Sequence, residues 1–121
     1  MFGRSEYKKK MEERRKKAYD RVYKLHQKAT FLFYVNDAYI ERYEGTDYVK
    51  LEGEVAKGKG RRKDSFELYD CEGRKKAGIT MEEMYCGTDS VEEIEEDNRR
   101  IALYPREQDV PYQAGDMICK F

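Results

Sequence analysis

The chain has 121 residues, which is enough for one domain with a modest core. Charged residues make up 41% of it and hydrophobic residues 39%, but eleven Tyr and five Phe argue against a disordered chain. No apolar run approaches the ~20 residues of a membrane span, and the basic start lacks the apolar core of a signal peptide. We therefore expect a soluble, cytoplasmic protein with no membrane partner.

The net charge of zero hides an uneven distribution along the chain. Residues 1–28 carry 11 basic and 4 acidic side chains, a net charge of +7, whereas the remainder carries 14 basic and 21 acidic side chains, a net charge of −7. Such an asymmetry indicates either binding to a charged partner or docking of one part of the chain on the other.

Residues 1–29 are predicted to form a basic N-terminal helix. From Ser5 to about Lys28 strong helix formers dominate, without Gly or Pro. Apolar residues recur at three- and four-residue steps, and the stripe is strongest at Val22, Leu25 and Ala29. We expect this second half to pack either on the chain's own barrel or on a second copy, while the first half stays solvated.

Residues 30–121 are predicted to form a β-barrel. Tyr48–Val55 alternates between apolar and polar residues, as in a sheet with one buried face. Lys57–Lys63 is predicted to be a loop, and Val91–Asp97 either a helical turn or an acidic connection. The fold class is mainly β: a small six- or seven-stranded barrel preceded by one α-helix. The other predicted strands are Thr30–Tyr39, Ser65–Tyr69, Arg74–Met84, Arg100–Tyr104 and Met117–Phe121.

Four stretches appear in an order and spacing similar to those of a known family. They are Phe31–Tyr39, Leu51–Gly58 with its Gly-x-Val-x-x-Gly pattern, Glu82–Tyr85, and Val91–Asn98 followed by Ile101–Leu103 and Gln113–Ile118. Together they resemble domain II of the elongation factor Tu class of translation GTPases, over about three quarters of the chain. The resemblance implies a translation-protein β-barrel and a translation-associated role.

Two departures from the family limit what the resemblance implies. The chain has no Gly-x-x-x-x-Gly-Lys-Ser/Thr phosphate loop, so GTP hydrolysis of that kind is excluded. In the family, a pocket for the 3′ adenosine of aminoacyl-tRNA uses a Gly-Arg pair, a Glu and an apolar residue. The last two correspond to Glu83 and to Leu103 or its neighbour, but Thr46 and Asp47 stand where Gly-Arg would be. A carboxylate there would repel phosphate.

Two groups of basic residues are candidate binding sites. The first could form one cationic patch that contacts phosphates or a partner, or it could be a solvated hairpin tip whose charge blocks edge pairing. It comprises Lys57, Lys59, Arg61, Arg62, Lys63, Arg74, Lys75 and Lys76. The second lies on the N-terminal helix, which could follow RNA or dock on the acidic region 82–97. It comprises Lys8, Lys9, Lys10, Arg14, Arg15, Lys16 and Lys17.

Catalytic and metal sites are not expected. His26 is the single histidine and has no evident nucleophilic partner. Cys71, Cys86 and Cys119 include no Cys-x-x-Cys pair, so we expect reduced thiols, no metal and no cofactor. The first hypothesis is a non-enzymatic module that contacts RNA, the ribosome or a translation component through basic loops. The alternative is a protein-interaction module without a nucleic-acid partner. The oligomeric state stays open, and no small-molecule substrate is indicated.

Overall fold

The structure, a computed structural model, describes residues 3–121 and their side chains from Glu6 onward. The first two residues of the predicted 1–29 helix lie outside this range. One helix, α1 (Gly3–Lys28), precedes nine strands. The strands are β1 (Phe31–Tyr43), β2 (Thr46–Lys57), β3 (Lys59–Arg61), β4 (Ser65–Tyr69), β5 (Lys75–Cys86), β6 (Asp89–Ser90), β7 (Glu93–Glu95), β8 (Ile101–Pro105) and β9 (Met117–Lys120).

Six of the strands form a closed antiparallel barrel. Neighbours follow the order β4-β9-β1-β2-β8-β5, and β5 pairs with β4 to close the ring. The short β6 adds to β5, and β3 pairs with β7 in a separate two-stranded ribbon. The predicted mainly β fold, with a six- or seven-stranded barrel after one helix, is confirmed.

Alternating apolar side chains fill the barrel. On β2, Val49, Leu51 and Val55 are buried, as their two-residue spacing predicts. The Gly-x-Val-x-x-Gly segment of this strand contains two glycines that are required sterically. A Cβ at Gly53 would lie 1.9 Å from the carbonyl oxygen of Tyr34, and one at Gly58, where φ is +71°, would lie 1.9 Å from that of Thr30. Strand β2 and the residue after it can therefore approach β1 and the residue before it closely only with glycine at both positions.

The second half of α1 packs on the outside of its own barrel. Leu25 and Ala29 form a second buried cluster with Leu32 of β1 and with Met117 and Cys119 of β9. The predicted apolar stripe is therefore the face by which the helix docks. The helix packs on its own barrel in this structure, which is one of the two arrangements expected from the sequence.

Polar contacts fix the end of α1 against the barrel. The ammonium of Lys57 donates to the carbonyl oxygen of His26 at 3.0 Å, which places a cation at the negative end of the helix dipole. The Tyr34 hydroxyl lies 2.6 Å from Nε2 of His26. Past the helix, the backbone N–H of Thr30 donates to the carbonyl oxygen of Lys120 at 2.8 Å. The chain thus enters the barrel beside the strand on which it leaves.

Two predicted segments differ from the structure. The expected loop 57–63 contains β3, and the ambiguous segment 91–97 contains β7 rather than a helical turn. Gly, Lys, Arg and Glu have low strand propensity, but here each basic residue of β3 faces a carboxylate of β7. Ile94 at the centre of β7 is buried, and a Cβ at Gly60 would meet the Phe31 ring at 2.8 Å. Tertiary packing and cross-strand charge pairing thus override local propensity.

Candidate functional site

Three of the eight cations of the predicted patch lie on or beside the β3–β7 ribbon, and each of the three is matched by a carboxylate. Lys59 lies 3.3 Å from Glu95, and Arg61 lies 3.5 Å from Glu93. The Nε of Arg62 donates to both carboxylate oxygens of Glu92, at 3.1 and 3.0 Å. Glu92 thereby raises the pKa of Arg62 above its usual value. A phosphate arriving here would have to displace a carboxylate from each cation.

Three further patch residues, Arg74, Lys75 and Lys76, lie at the opposite end of β4. Ser65, at the ribbon end of this strand, pairs with Thr80, whereas Tyr69 pairs with Lys75. The two ends are roughly 13 Å apart by strand rise. Arg74 lies 3.3 Å from Glu72, Lys75 lies 3.0 Å from Glu67, and Lys76 lies 2.8 Å from Asp116. The structure does not bring the eight basic residues into one surface.

Two cations of the patch have no carboxylate partner within residues 6–121. Lys57 is committed to the carbonyl oxygen of His26, and Lys63 is exposed without an ion pair or hydrogen bond. Six of the eight residues are therefore paired, namely Lys59, Arg61, Arg62, Arg74, Lys75 and Lys76.

The first half of α1 presents a run of positive charge that has no ion pair among residues 6–121. Seven basic side chains within its described part, here called the basic rod, are all exposed. In the part of the chain with described side chains, none of them makes an ion pair or a hydrogen bond to the barrel. The acidic region 82–97 contacts β3 instead of this helix. The rod comprises Lys8, Lys9, Lys10, Arg14, Arg15, Lys16 and Lys17.

A groove on the outer face of the barrel contains Glu83, one of the two family-pocket equivalents. Its volume is about 920 Å³, and we call it the tyrosine groove. Leu103, the other equivalent, is buried inside the barrel, whereas its neighbour Tyr104 lines the groove. The groove is lined by Glu41, Tyr43, Tyr48, Glu82, Glu83, Tyr85, Tyr104, Pro105, Arg106 and Gln108.

A β-bulge brings two consecutive carboxylates into this groove. Met81 pairs with Pro105 and Glu83 pairs with Tyr104, so Glu82 is an extra residue in β5. Both flanking methionines, Met81 and Met84, point into the core. Glu82 and Glu83 therefore face outward together, which strict alternation would forbid.

Two of the three groove carboxylates already have cationic partners. Glu41 accepts from the Tyr104 hydroxyl at 3.0 Å and lies 3.2 Å from the ammonium of Lys50. These two donors hold the pKa of Glu41 below its usual value, the bond to Lys50 contributing most. Glu82 lies 2.8 Å from Arg106. Glu83 has no ion pair in the described chain. It accepts one long hydrogen bond, from the Ser90 hydroxyl at 3.4 Å.

Sequence reasoning identified Glu83 but missed the groove around it. The four groove tyrosines lie on four neighbouring strands, and their convergence depends on the long-range pairing of β2 with β8 and of β8 with β5. They are Tyr43, Tyr48, Tyr85 and Tyr104. One local signal was present. The Met-Glu-Glu-Met step at 81–84 breaks two-residue alternation and indicates the bulge.

The missing Gly-Arg pair maps to the tip of the β1–β2 hairpin. Thr46 and Asp47 are exposed there, and Asp47 lies 3.6 Å from Arg42. Within residues 3–121, no group of three His, Cys, Asp or Glu side chains is arranged to hold a metal ion. No helix of that same range is long and apolar enough to cross a membrane.

No protein-family model and no curated protein matches this sequence. Among solved structures, the apo form of translation elongation factor SelB from Methanococcus maripaludis is similar, with a TM-score of 0.60 and 14% identity over 78% of this chain. The match spans 19% of the elongation factor's own length. The likeness confirms the expected fold, a β-barrel of the kind found in translation factors.

Proposed function

We propose that this protein is a non-enzymatic, translation-associated module that contacts RNA, as free RNA or within the ribosome, through its N-terminal helix. The observation that carries this proposal is the basic rod, seven exposed cations that make no ion pair within residues 6–121. The barrel fold shared with a translation elongation factor supports the association with translation. A cytoplasmic location agrees with this role.

The physical basis is counterion release. Lysine and arginine side chains that replace condensed cations along RNA gain free energy, and the gain falls steeply with salt. Among the described side chains, the rod's cations have no carboxylate partner to lose on binding, whereas those of the β3–β7 ribbon would give up a carboxylate. The rod is therefore the primary contact, with Lys63 and the other loop cations secondary.

The test is titration of fluorescently labelled single-stranded RNA and of tRNA, followed by anisotropy at increasing salt. Two double variants remove equal charge from the two surfaces: Arg14→Gln with Arg15→Gln on the rod, and Arg61→Gln with Arg62→Gln on the ribbon. We expect the rod variant to bind RNA more weakly and to reduce the magnitude of the slope of log K against log salt by about two, one for each cation removed. The ribbon variant should have a smaller effect on both quantities. Salt-insensitive binding, or none to either RNA, would refute the proposal.

A second candidate is a protein-interaction module without a nucleic-acid partner. It is favoured by the pairing of six of the eight patch cations with carboxylates, which brings the barrel surface around these pairs close to neutral. A pull-down with and without nuclease separates the two candidates. Partners that survive nuclease treatment and are captured equally by the rod variant would favour this second function.

A further inference from the structure

We propose that the tyrosine groove binds an arginine or lysine side chain carried by an extended segment of a partner protein. This inference does not depend on the RNA contact proposed above. The groove carries negative charge on the barrel, whereas the RNA contact uses the positive charge of the helix. At about 920 Å³, the groove is in the upper range of ligand sites and is larger than one cationic side chain fills. A short polypeptide segment matches this volume.

Glu83 supplies the attraction for the cation. It is half-buried, so its charge is less screened than that of a fully exposed carboxylate. Lys50 is committed to Glu41, and Arg106 to Glu82. Arg62 donates to the backbone carbonyl of Glu82 at 3.3 Å and lies close enough for Glu83 to add to its raised pKa, but Glu92 makes the larger contribution and holds its Nε with both oxygens. Glu83 is thus the groove carboxylate that an incoming cation would neutralise.

The tyrosines supply the walls. Tyr43 and Tyr48 are 63% and 39% exposed, which is open apolar surface that a ligand would cover. Tyr85 and Tyr104 meet edge to face, with ring centroids 5.7 Å apart and planes at 79°. Aromatic faces attract cations, and the planar guanidinium of arginine also stacks on them.

The same strand surface already contains this type of contact. The ammonium of Lys50 lies 5.6 Å from the centroid of the Tyr39 ring, beside Glu41 and Glu52. A cation between a tyrosine face and carboxylates is therefore a stable arrangement on this part of the barrel. An intermolecular cation at Glu83 would repeat it a short distance away.

Charge also decides against a nucleic-acid ligand in the groove. Of its three carboxylates, Glu41 is paired with Lys50 and Glu82 with Arg106, so the charge left without an ion pair in the described chain is the negative one of Glu83, which would repel a phosphate. The groove and the basic rod thus select partners of opposite charge, and the two can be tested separately.

The test uses a glycine-spaced peptide with two arginines and a matched peptide in which citrulline replaces both arginines. Binding to the whole chain is measured by amide chemical-shift changes up to millimolar peptide. We expect the arginine peptide to shift resonances of Glu83, Tyr85 and Tyr104, and the uncharged citrulline peptide to bind roughly tenfold more weakly. Glu83→Gln should weaken the arginine peptide by roughly tenfold. Tyr43→Ala should weaken it about threefold.

Glu54→Gln is the matched control, because Glu54 is an exposed carboxylate outside the groove and outside the ion pairs of the described residues. It should leave the affinity within about twofold, as expected for a remote, screened charge. Equal binding of the citrulline peptide, an unchanged affinity of Glu83→Gln, or no shift at millimolar arginine peptide would each overturn the proposal. Occupation of the groove by single-stranded RNA or adenosine would overturn it as well. Loss of RNA binding in the rod variant would leave it untouched.

Discussion

The ammonium of Lys76 lies 2.8 Å from Oδ2 of Asp116, a carboxylate with no exposed surface. The same oxygen accepts the backbone N–H of Gln113 at 2.9 Å, and the ammonium also donates to the carbonyl oxygen of Pro111. The Oδ1 of Asp116 has no hydrogen-bond partner in the described structure. The charge on this carboxylate therefore depends on a single lysine, which sequence analysis had placed in a surface patch.

Removal of that lysine should be costly. Lys76→Met would leave Asp116 charged and buried without a counterion, so we expect the free energy of unfolding to fall by about 3–5 kcal/mol. Denaturant titration measures the loss. Lys75→Met is the control, because Lys75 and its partner Glu67 are partly exposed and such a pair contributes at most about 1 kcal/mol. Equal effects of the two substitutions would contradict this account.

Gly53 should not tolerate a side chain. Alanine there would press a methyl group against the Tyr34 carbonyl and the Phe33 ring, at 1.9 and 2.9 Å. We expect Gly53→Ala to destabilise the barrel by about 1–3 kcal/mol or more, as overpacking does. Gly78→Ala, where the nearest atom is 4.0 Å away, should be neutral or slightly stabilising. Melting temperatures of the two variants decide the matter, and a stable Gly53→Ala would show that β1 and β2 can separate.

Leu25→Ala should release the helix while leaving the barrel folded. Leu25 is the buried helical anchor of the outer cluster. We expect a local cost on the order of 2 kcal/mol, seen as faster hydrogen exchange in α1 and lower helical ellipticity, with unchanged exchange in the barrel strands. Lys24→Ala, at the exposed neighbouring position, controls for helix propensity. Simultaneous loss of protection in barrel and helix would show that they unfold as one unit.

The three thiols should differ in reactivity. Cys71 is exposed and Cys119 is fully buried. Burial, with a smaller contribution from Glu67, raises the pKa of Cys119 to about 12. With an aromatic disulfide reagent at mildly alkaline pH, we expect rapid labelling of Cys71 and none of Cys119 until the chain is unfolded. Early labelling of Cys119 in a Cys71→Ser variant would contradict the packing of α1 against β9.

The raised pKa of Cys119 also gives the sign of a pH effect on stability. The folded state holds this proton more tightly than the unfolded chain does, because the pKa of a thiol in an unfolded chain is about 8.5. Its contribution is complete below that pH and is lost as pH rises toward 12. Unfolding midpoints measured from neutral to alkaline pH should fall more steeply for the wild type than for Cys119→Val. Parallel pH profiles would refute this.

The elements could be predicted where one local pattern determined them. Strand β4 was predicted with its observed bounds, because Ser65–Tyr69 alternates between two turns. The ribbon β3–β7 could not be predicted, because its strands depend on each other's charges across more than thirty residues of sequence. The identity of Glu83 came from family resemblance. Its place in a groove came from four tyrosines brought together by the long-range pairing of β2 with β8 and of β8 with β5, and from the bulge at Glu82.

The hydrogen bond between Thr30 and Lys120 places the two ends of the barrel side by side. A unit whose ends meet can be grafted into a surface loop of another protein, or joined end to end and reopened elsewhere, with little distortion of either part. The tip of the β1–β2 hairpin at Glu44 and Gly45 is an exposed place for new termini. A circular permutant opened there would begin in β2 and end in β1, and it should close the same six-stranded ring.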